Sequence, residues 1–249
     1  MKTIHLDDIR QKEDLHWWHV AKKELIVSII KNIIESNSYT HPKILEIGAG
    51  TGTMLKNFIT IAEVTALDIS KQALHYCKTK GIRNLIHADL ETYQDFKHNY
   101  YDIIICCDLL EHIQNDEKAL KKINSMLKKK GTCILHVPAN QKLYSYWDKF
   151  LGHYRRYEIK QLKNKLEHCG FRVNFISYRV SFLFPFAFLF RKYKNLFQKN
   201  SSKISSDFFY IPFLNTILFF ITKIEDFLII RSIIRPSFGL SIIAIVKKK

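Results

Sequence analysis

The stretch Glu46-Ile47-Gly48-Ala49-Gly50-Thr51-Gly52 decides the fold, because it follows a short apolar segment and places glycines at alternate positions. Glycine lets a backbone turn sharply from strand to helix and lets a ligand approach the main chain. A dinucleotide fingerprint, GxGxxG, would need its last glycine at position 53, where the chain has Thr53. The GxGxG spacing therefore disfavours a pyrophosphate site and favours a nucleotide-like ligand without phosphates.

Apolar segments recur on both sides of this loop, and helical patterns separate most of them. The predicted strand at 101–107 contains a continuous apolar run at 103–107, which is typical of a parallel strand covered on both faces. We predict an α/β fold: a Rossmann-like, doubly wound, mostly parallel seven-stranded sheet with an antiparallel last strand and a helical insert before it. A helix is expected to start at 53–60. The predicted strands are residues 44–47, 64–67, 85–87, 101–107, 132–137, 172–178 and 240–246.

The chain divides into a core with two additions. Residues 1–41, with an amphipathic helix at 15–35, are expected to form an N-terminal helical cap. Residues 42–179 and 239–249 form the ligand-binding core. Residues 180–238 form a hydrophobic insert with 15 aromatic residues, read either as a substrate lid that docks on a membrane or as a helical cap with its own core.

Carboxylates follow the next two predicted strands. Asp68 lies 20 residues after Gly48, where a carboxylate can accept hydrogen bonds from both hydroxyls of a ribose. Asp89 can bind the amino group of adenine while Leu90 packs on the ring, and Glu46 lies near the expected position of an amino group. Chance loop glycines with capping aspartates are the alternative, which the ordered set disfavours.

Further motifs carry a family resemblance. Asp108-Leu109-Leu110-Glu111-His112 follows the fourth strand, and the chain resembles the class I S-adenosylmethionine-dependent methyltransferases, in particular the ubiquinone-biosynthesis-type branch. A narrower bacterial group is indicated by His16-Trp17-Trp18, by Gly152-His153-Tyr154-Arg155-Arg156-Tyr157, and by a closing pattern of Pro236, Gly239, Ser241 and Lys248. The resemblance implies S-adenosylmethionine as cofactor and leaves the acceptor open, although the group is often associated with surface glycans or lipids.

Cofactor contacts follow from the loop, the strand ends and this resemblance. Trp18 is expected to shield the sulfonium by a cation–π contact, with a hydrophobic staple as the alternative. The predicted cofactor-binding residues are Glu46, Gly48, Ala49, Gly50, Gly52, Asp68, Ile69, Asp89, Leu90, Asp108 and Trp18.

Candidates for catalysis lie after the fourth and fifth strands, where the crevice is expected. His112 is the leading candidate for a base, its alternative role being to cap the following turn. Arginines between tyrosines suit an anionic substrate group, unless they form a solvated helix start. The predicted catalytic residues are His112, His153 and Tyr154. The predicted substrate-binding residues are Tyr144, Trp147, Arg155, Arg156 and Tyr157. No metal is expected, since the five cysteines show no zinc spacing.

The net charge of +16 lies mostly in residues 142–249, which hold 20 Lys and Arg against 6 Asp and Glu. This surplus indicates an anionic partner. Two apolar runs of about 11 residues are short of the ~20 needed to cross a bilayer, so an anionic membrane surface is the partner considered. The expected acceptor is a small molecule or lipid-like, and the expected location is cytoplasmic, with peripheral membrane association left open. The oligomeric state is open too.

Three rival functions remain. An NAD-dependent oxidoreductase lacks its GxGxxG loop. A nucleic-acid methyltransferase fits the charge, but the chain shows neither the N/D-P-P-Y signature after the fourth strand nor an RNA-binding module, so no nucleic-acid partner is expected. A non-catalytic membrane-associated cofactor-binding protein is disfavoured by the intact glycine loop.

Overall fold

The structure is a computed structural model that describes residue 10, residues 12–197 and residues 211–249, with the backbone alone at 192–197. Part of the predicted insert, residues 198–210, and the first nine residues of the predicted cap lie outside the described residues.

One seven-stranded sheet forms the centre, with the strand order β3-β2-β1-β4-β5-β7-β6. The pairs β1–β2, β1–β4, β2–β3 and β4–β5 are parallel, and β7 is antiparallel to both β5 and β6. The predicted mostly parallel sheet with an antiparallel last strand is confirmed. The strands are β1 (Lys43–Ile47), β2 (Glu63–Asp68), β3 (Asn84–His87), β4 (Tyr101–Cys107), β5 (Leu127–Pro138), β6 (Phe171–Arg179) and β7 (Ser241–Lys248).

Helices cover both faces of the sheet. The apolar sides of α1 and α2 pack on one face with Phe58, and α3 and α5 pack on the other around the buried Tyr157. The helices are α1 (Trp17–Ser36), α2 (Lys71–Thr79), α3 (Asp116–Met126), α4 (Tyr146–Leu151), α5 (Ile159–His168), α6 (Phe184–Phe197) and α7 (Pro212–Ile230).

The helix expected at 53–60 is reduced to one 3₁₀ turn, Leu55–Asn57. The amide of Asn57 donates to the carbonyl oxygens of Thr53 and Met54, at 3.0 Å each. Such a bond from side chain to backbone competes with continuation of a helix. The expectation of an ordinary helix after the glycine loop was therefore wrong, and the loop opens instead beneath α1.

The insert contributes α6 and α7, and a buried ion pair joins α7 to the sheet. The guanidinium of Arg179, at the end of β6, donates from Nε and Nη2 to Asp226 on α7, at 2.6 and 2.9 Å. One residue earlier on α7, the carboxylate of Glu225 accepts from the backbone N of Ser181 at 2.8 Å. Among the described residues, no helix is long and apolar enough to cross a membrane.

Candidate active site

A cavity of about 700 Å³ opens at the carboxyl ends of the parallel strands. The start of α1, the glycine loop and the ends of β4 and β5 form its inner wall, and α6 and α7 form its outer wall. In an open α/β sheet this edge is where ligands bind.

The glycine loop turns back over β2. The backbone N atoms of Gly48 and Ala49 donate to the carbonyl oxygen of Leu67, at 2.8 and 3.2 Å. Gly48, Gly50 and Gly52 all have positive φ, between +53° and +72°. A Cβ on Gly52 would lie 2.7 Å from Ile82 Cδ1, whereas a Cβ on Gly50 would meet no atom within 4 Å. Gly52 therefore serves packing, and the open space at Gly50 lets a ligand approach the main chain.

Glu46 lies in β1 directly below this loop. Its side chain is buried and lines the cavity, and Oε2 has no hydrogen-bond partner among the described residues. Burial raises the pKa of Glu46 to about 8. A buried carboxylate oxygen without a partner is a ready acceptor for a ligand ammonium, which would favour the ionised form.

Asp68 ends β2 and holds the glycine loop. One carboxylate oxygen accepts from the backbone N of Gly50 at 2.9 Å, and the other accepts from the N of Ser70 at 2.8 Å. Each oxygen has a second lone pair, so both can still accept from hydroxyl groups of a ligand.

The predicted adenine contacts lie farther along the same edge. The half-buried Asp89 and the buried Leu90 follow β3, beside β2, and Ile69 is exposed. Asp68, Ile69, Asp89 and Leu90 do not line the enclosed cavity. A ligand spanning the whole set would keep its amino-acid end in the cavity and lay its nucleoside end along the open sheet edge.

The start of α1 closes the cavity from above. His16 caps the helix, its Nδ1 accepting from the N of Trp18 at 3.3 Å, and the N of Trp17 donates to Asn215 Oδ1 on α7 at 2.8 Å. Both tryptophans line the cavity. The position of Trp18 is compatible with the predicted cofactor contact, which stays a prediction.

A chain of polar groups runs from α1 to β5 across the inner wall. The Lys22 ammonium pairs with Asp108 Oδ2, and His136 Nδ1 lies 2.7 Å from Asp108 Oδ1. Burial opposes ionisation of Asp108, but Lys22 and His136 hold the pKa of its carboxyl well below the ordinary value. Asp108 is therefore a half-buried carboxylate with both oxygens engaged by protein groups.

The two predicted catalytic histidines meet face to edge, with ring centroids 4.6 Å apart. Burial and the neighbouring His153 lower the pKa of His112 to about 4. Glu111, His112 and His153 each offer a ligand atom, and these atoms lie within 4.8 Å of one another. These three side chains can hold a metal ion, although no metal is predicted from the sequence. An activity assay should therefore be run both with and without a chelator.

Asp148 organises the loop that carries His153. This buried carboxylate accepts from Arg156 Nε at 2.7 Å and lies 3.1 Å from His153 Nδ1. It also accepts from the backbone N of Ser145 at 2.9 Å, in a capping box at the start of α4. His153, Arg156 and Trp147 all line the cavity, which agrees with their predicted place.

Other residues of the predicted substrate set lie elsewhere. Tyr157 is buried, and its hydroxyl donates to Asp116 at 2.9 Å; Arg155 pairs with the same carboxylate at 3.0 Å. Neither lines the cavity. This arrangement does not favour the predicted substrate-binding role of either side chain, because Asp116 at the start of α3 engages both.

The two remaining tyrosines also lie outside the cavity lining. The Tyr144 hydroxyl donates to the carbonyl oxygen of His153 at 2.6 Å, so it supports the loop. Tyr154 is exposed, and only its backbone N reaches inward, donating to the carbonyl oxygen of Glu111 at 2.7 Å. A catalytic Tyr154 is thus not favoured by this arrangement.

Sequence reasoning missed three residues of the inner wall and loop. Asp148 had a signal, the Ser145-x-x-Asp148 pattern of a capping box. Lys22 and His136 had none, since Lys22 is one of several charged residues of an amphipathic helix and His136 falls inside an apolar strand.

The fold and the glycine-loop edge define a Rossmann-like enzyme class that binds an amino-acid nucleoside. The chain belongs to the family described as Methyltransferase domain, which matches residues 13–174. It is similar to Ubiquinone biosynthesis O-methyltransferase of Shewanella halifaxensis, with 26% identity over 126 residues, 48% of this chain and 52% of that protein. The chain thus spans about half the length of the curated relatives it matches.

Solved structures share the fold. A SAM-dependent methyltransferase from Archaeoglobus fulgidus is 22% identical and aligns with a TM-score of 0.55 over 91% of this chain and 94% of that chain. Phosphoethanolamine N-methyltransferase 2 of Haemonchus contortus, in complex with S-adenosyl-L-methionine, is 16% identical with a TM-score of 0.53, over 84% of this chain and 49% of that chain. The predicted class, a methyltransferase with S-adenosylmethionine as cofactor, is confirmed. The narrower bacterial group stays a prediction.

Proposed function

We propose that this chain transfers the methyl group of S-adenosylmethionine to a hydroxyl group of a lipid-like acceptor, which enters from an anionic membrane surface. The name of the relatives, O-methyltransferase, supports a hydroxyl acceptor. The observation that carries the proposal is the outer wall of the cavity, which is apolar inside and remains apolar where it reaches solvent.

The cavity lining and the exposed surface share residues. Phe186, Phe190 and Leu214 line the cavity, and yet Phe186 is 71% exposed, Phe190 44% and Leu214 42%. A small polar acceptor would gain nothing from such a rim. A long apolar acceptor would stay in contact with apolar side chains from the membrane to the inner wall.

Outside the rim, α7 presents a continuous apolar face to solvent. Its exposed side chains recur at helical spacing. They are Phe213, Leu214, Ile217, Phe220, Ile221, Ile224 and Phe227. Exposed apolar surface of this extent marks an interaction site, and an amphipathic helix can lie in the interface of a bilayer without spanning it.

Charge favours an anionic surface over other partners. Residues 180–238 hold 8 Lys and Arg against 3 Asp and Glu, and two of those acids, Glu225 and Asp226, are buried. Arg231 and Arg235 are exposed beside the exposed Ile233. Cations next to exposed apolar side chains are the composition that interfacial binding to anionic lipids requires.

The chain's own residues would align the reactants. Bound S-adenosylmethionine supplies an activated methyl group. Glu46 and the glycine loop would hold its amino-acid end, and Asp68 and Asp89 its nucleoside. Holding the acceptor oxygen in line with the methyl carbon contributes up to ~7–11 kcal/mol. Water would be excluded from the cavity by Trp17 and Trp18 at the start of α1, which form a cap, and by the insert at the outer wall, which forms a lid.

The reaction is tested with radiolabelled S-adenosylmethionine and phosphatidylglycerol vesicles that carry a bacterial lipid extract. We expect label in the extracted lipids, and loss of cofactor binding by calorimetry in Asp68→Ala. A parallel reaction with EDTA, then with added Mg²⁺ or Zn²⁺, shows whether methyl transfer depends on a metal ion held by Glu111, His112 and His153. Binding of NAD in place of the methyl donor would contradict the proposal.

Membrane docking has its own experiment, cosedimentation with phosphatidylglycerol and phosphatidylcholine vesicles. Ile221→Ser/Ile224→Ser, at sites 40% and 60% exposed, is expected to reduce binding to phosphatidylglycerol at least tenfold. The matched control is Ile59→Ser/Ile61→Ser, at sites 41% and 42% exposed outside the insert, which is expected to bind as wild type. Equal binding by both double variants would contradict docking through α7, whatever the cofactor result.

A further inference from the structure

His136 occupies a place in the cavity wall that the proposed function does not yet use. It lies near the end of β5, between Cys107 of β4 and Ile243 of β7, and it is fully buried. Its side chain lines the cavity, and the ring of Trp18 lies edge-on to it with centroids 6.2 Å apart. An imidazole in the middle of an apolar sheet is expensive to bury without a purpose or a partner.

One ring nitrogen of His136 is fixed and the other is available. Nδ1 lies 2.7 Å from Asp108 Oδ1, and since that carboxylate is ionised, Nδ1 carries the proton and donates it. Nε2 then bears a lone pair, and it is buried with no hydrogen-bond partner among the described residues. The ring beside the cavity wall is thus a neutral imidazole in a defined tautomer, whose buried Nε2 can accept a proton from a group that reaches it.

The backbone reinforces this pairing. Asp108 has a φ of +50°, uncommon outside glycine, and its backbone N donates to the carbonyl oxygen of His136 at 2.8 Å. The other carboxylate oxygen pairs with Lys22 from α1. The Asp108 carboxylate is held from two sides, so it can fix the orientation of the imidazole. In other enzymes, a side chain that hydrogen-bonds to the catalytic base orients that base in the same way.

The two histidines predicted from the sequence as catalytic are less suited to the task. The ring of His112 packs against His153, and the pKa of His112 is depressed. His153 shares Asp148 with Arg156, Arg191 and the backbone of Ser145, so the carboxylate beside it is already neutralised.

We propose that His136 is the general base of the reaction: its Nε2 accepts the proton of the acceptor hydroxyl, with Asp108 as the positioning residue. The acceptor oxygen bonds to the methyl carbon as the carbon–sulfur bond breaks, and that electron pair stays on sulfur. The hydroxyl proton moves to Nε2, and Asp108 stabilises the resulting imidazolium until the proton leaves to solvent. This inference rests on the proposed function and extends it to a named base.

The charges around His136 set the expected pH dependence. Burial lowers its pKa, Asp108 acts in the opposite direction, and Lys22 and Arg179 add to the lowering. His136 is therefore neutral at pH 7 and able to accept. Loss of activity is expected on the acidic side, where His136 becomes protonated before the acceptor binds.

The test compares wild type, His136→Asn and His136→Ala with a matched control, His168→Asn, at an exposed site on α5. Label is transferred from S-adenosylmethionine to an alkyl catechol, or to the bacterial lipid extract, in phosphatidylglycerol vesicles. Both His136 variants are expected to lose kcat by about 10²–10⁴-fold, the range for a positioned base. The KM and calorimetric affinity for S-adenosylmethionine stay within threefold. In His136→Ala, added imidazole is expected to raise the rate at least tenfold. In His136→Asn, the fall in rate on the acidic side of the pH profile is expected to disappear.

The possible failures point to different causes. No transfer by wild type to either acceptor overturns the proposed function and this inference with it. Transfer by wild type together with an unchanged rate in His136→Asn overturns the inference alone. Loss of rate together with loss of cofactor binding, without rescue by imidazole, assigns His136 to structure and also overturns the inference.

Discussion

The inner and outer ends of the cavity are built from different materials. The inner end consists of backbone and polar groups. They are glycines with positive φ, a Glu46 oxygen without a partner among the described residues, and Asp68, which holds the loop. At the outer end, α6 and α7 contribute apolar side chains, many of them exposed. A wall of buried polar atoms selects a ligand atom by atom because each polar atom needs a partner, whereas an apolar wall selects only a class of surface.

The largest expected effect is the loss of stability when the ion pair that joins α7 to the sheet is broken. Asp226→Ala leaves the fully buried Arg179 without its carboxylate, and breaking a buried pair costs about 3–5 kcal/mol of stability. Urea unfolding measures this loss. The double variant Arg179→Met/Asp226→Leu is expected to recover most of it, because it leaves no unpaired charge. A loss below 1 kcal/mol in Asp226→Ala would mean that the insert is not coupled to the sheet through this pair.

Two glycines in the loop separate packing from ligand approach. Gly52→Ala adds left-handed strain and a clash with Ile82 and Cys77, so we expect a loss of about 2–4 kcal/mol of stability. Gly50→Ala adds strain alone, about 1–2 kcal/mol, but its Cβ would enter the open space proposed here for the cofactor. Gly50→Ala should therefore weaken S-adenosylmethionine binding out of proportion to its stability, measured by calorimetry and urea unfolding. If the ratio of lost affinity to lost stability were the same in Gly50→Ala and Gly52→Ala, the separation of ligand approach from packing would be contradicted.

Glu46 gives the inner end a pH dependence that the outer end lacks. Below its pKa of about 8 the carboxyl holds a proton in the free protein, which an ammonium ligand must displace. Affinity for S-adenosylmethionine should therefore rise from pH 6 to 7.5, by at most about tenfold per unit. Glu46→Gln should bind more weakly, by about 1.5–3 kcal/mol, with no such slope. A parallel slope in both proteins would place the titrating group elsewhere.

The same group predicts a stability trend without ligand. Because the pKa of Glu46 is raised on folding from 4.5 to about 8, the folded state holds the proton more tightly than the unfolded state. The resulting contribution is present in full below pH 4.5 and is lost as pH rises towards 8. Relative to Glu46→Gln, wild type should lose stability over that interval, as measured by urea unfolding at several pH values.

The difference between the ends also explains what the sequence could predict. The glycine spacing and the carboxylates at strand ends are local patterns, and they indicated the inner end residue by residue. His136, Lys22 and Asp108 come from three distant segments, and only the strand order brings them together. The partner shared by Arg155 and Tyr157 could not be predicted for the same reason, since Asp116 is about 40 positions away. At the outer end, composition predicted an apolar surface but not which side chains face solvent.

The smallest expected effect is the loss of stability in Ile224→Ser, which is compared with Ile229→Ser on the same helix of the outer end. Ile224 is 60% exposed and Ile229 is 2% exposed, both on α7. If the exposed face is a docking surface, Ile224→Ser should change stability by less than about 0.5 kcal/mol, whereas Ile229→Ser should cost about 3–5 kcal/mol because it cuts into the core. Urea unfolding of the two variants checks this, and vesicle binding should show the reverse order, with Ile224→Ser the more impaired. A loss above 1 kcal/mol in Ile224→Ser would mean that this face is covered within the protein itself, so that the insert is a cap with its own core and not a membrane surface.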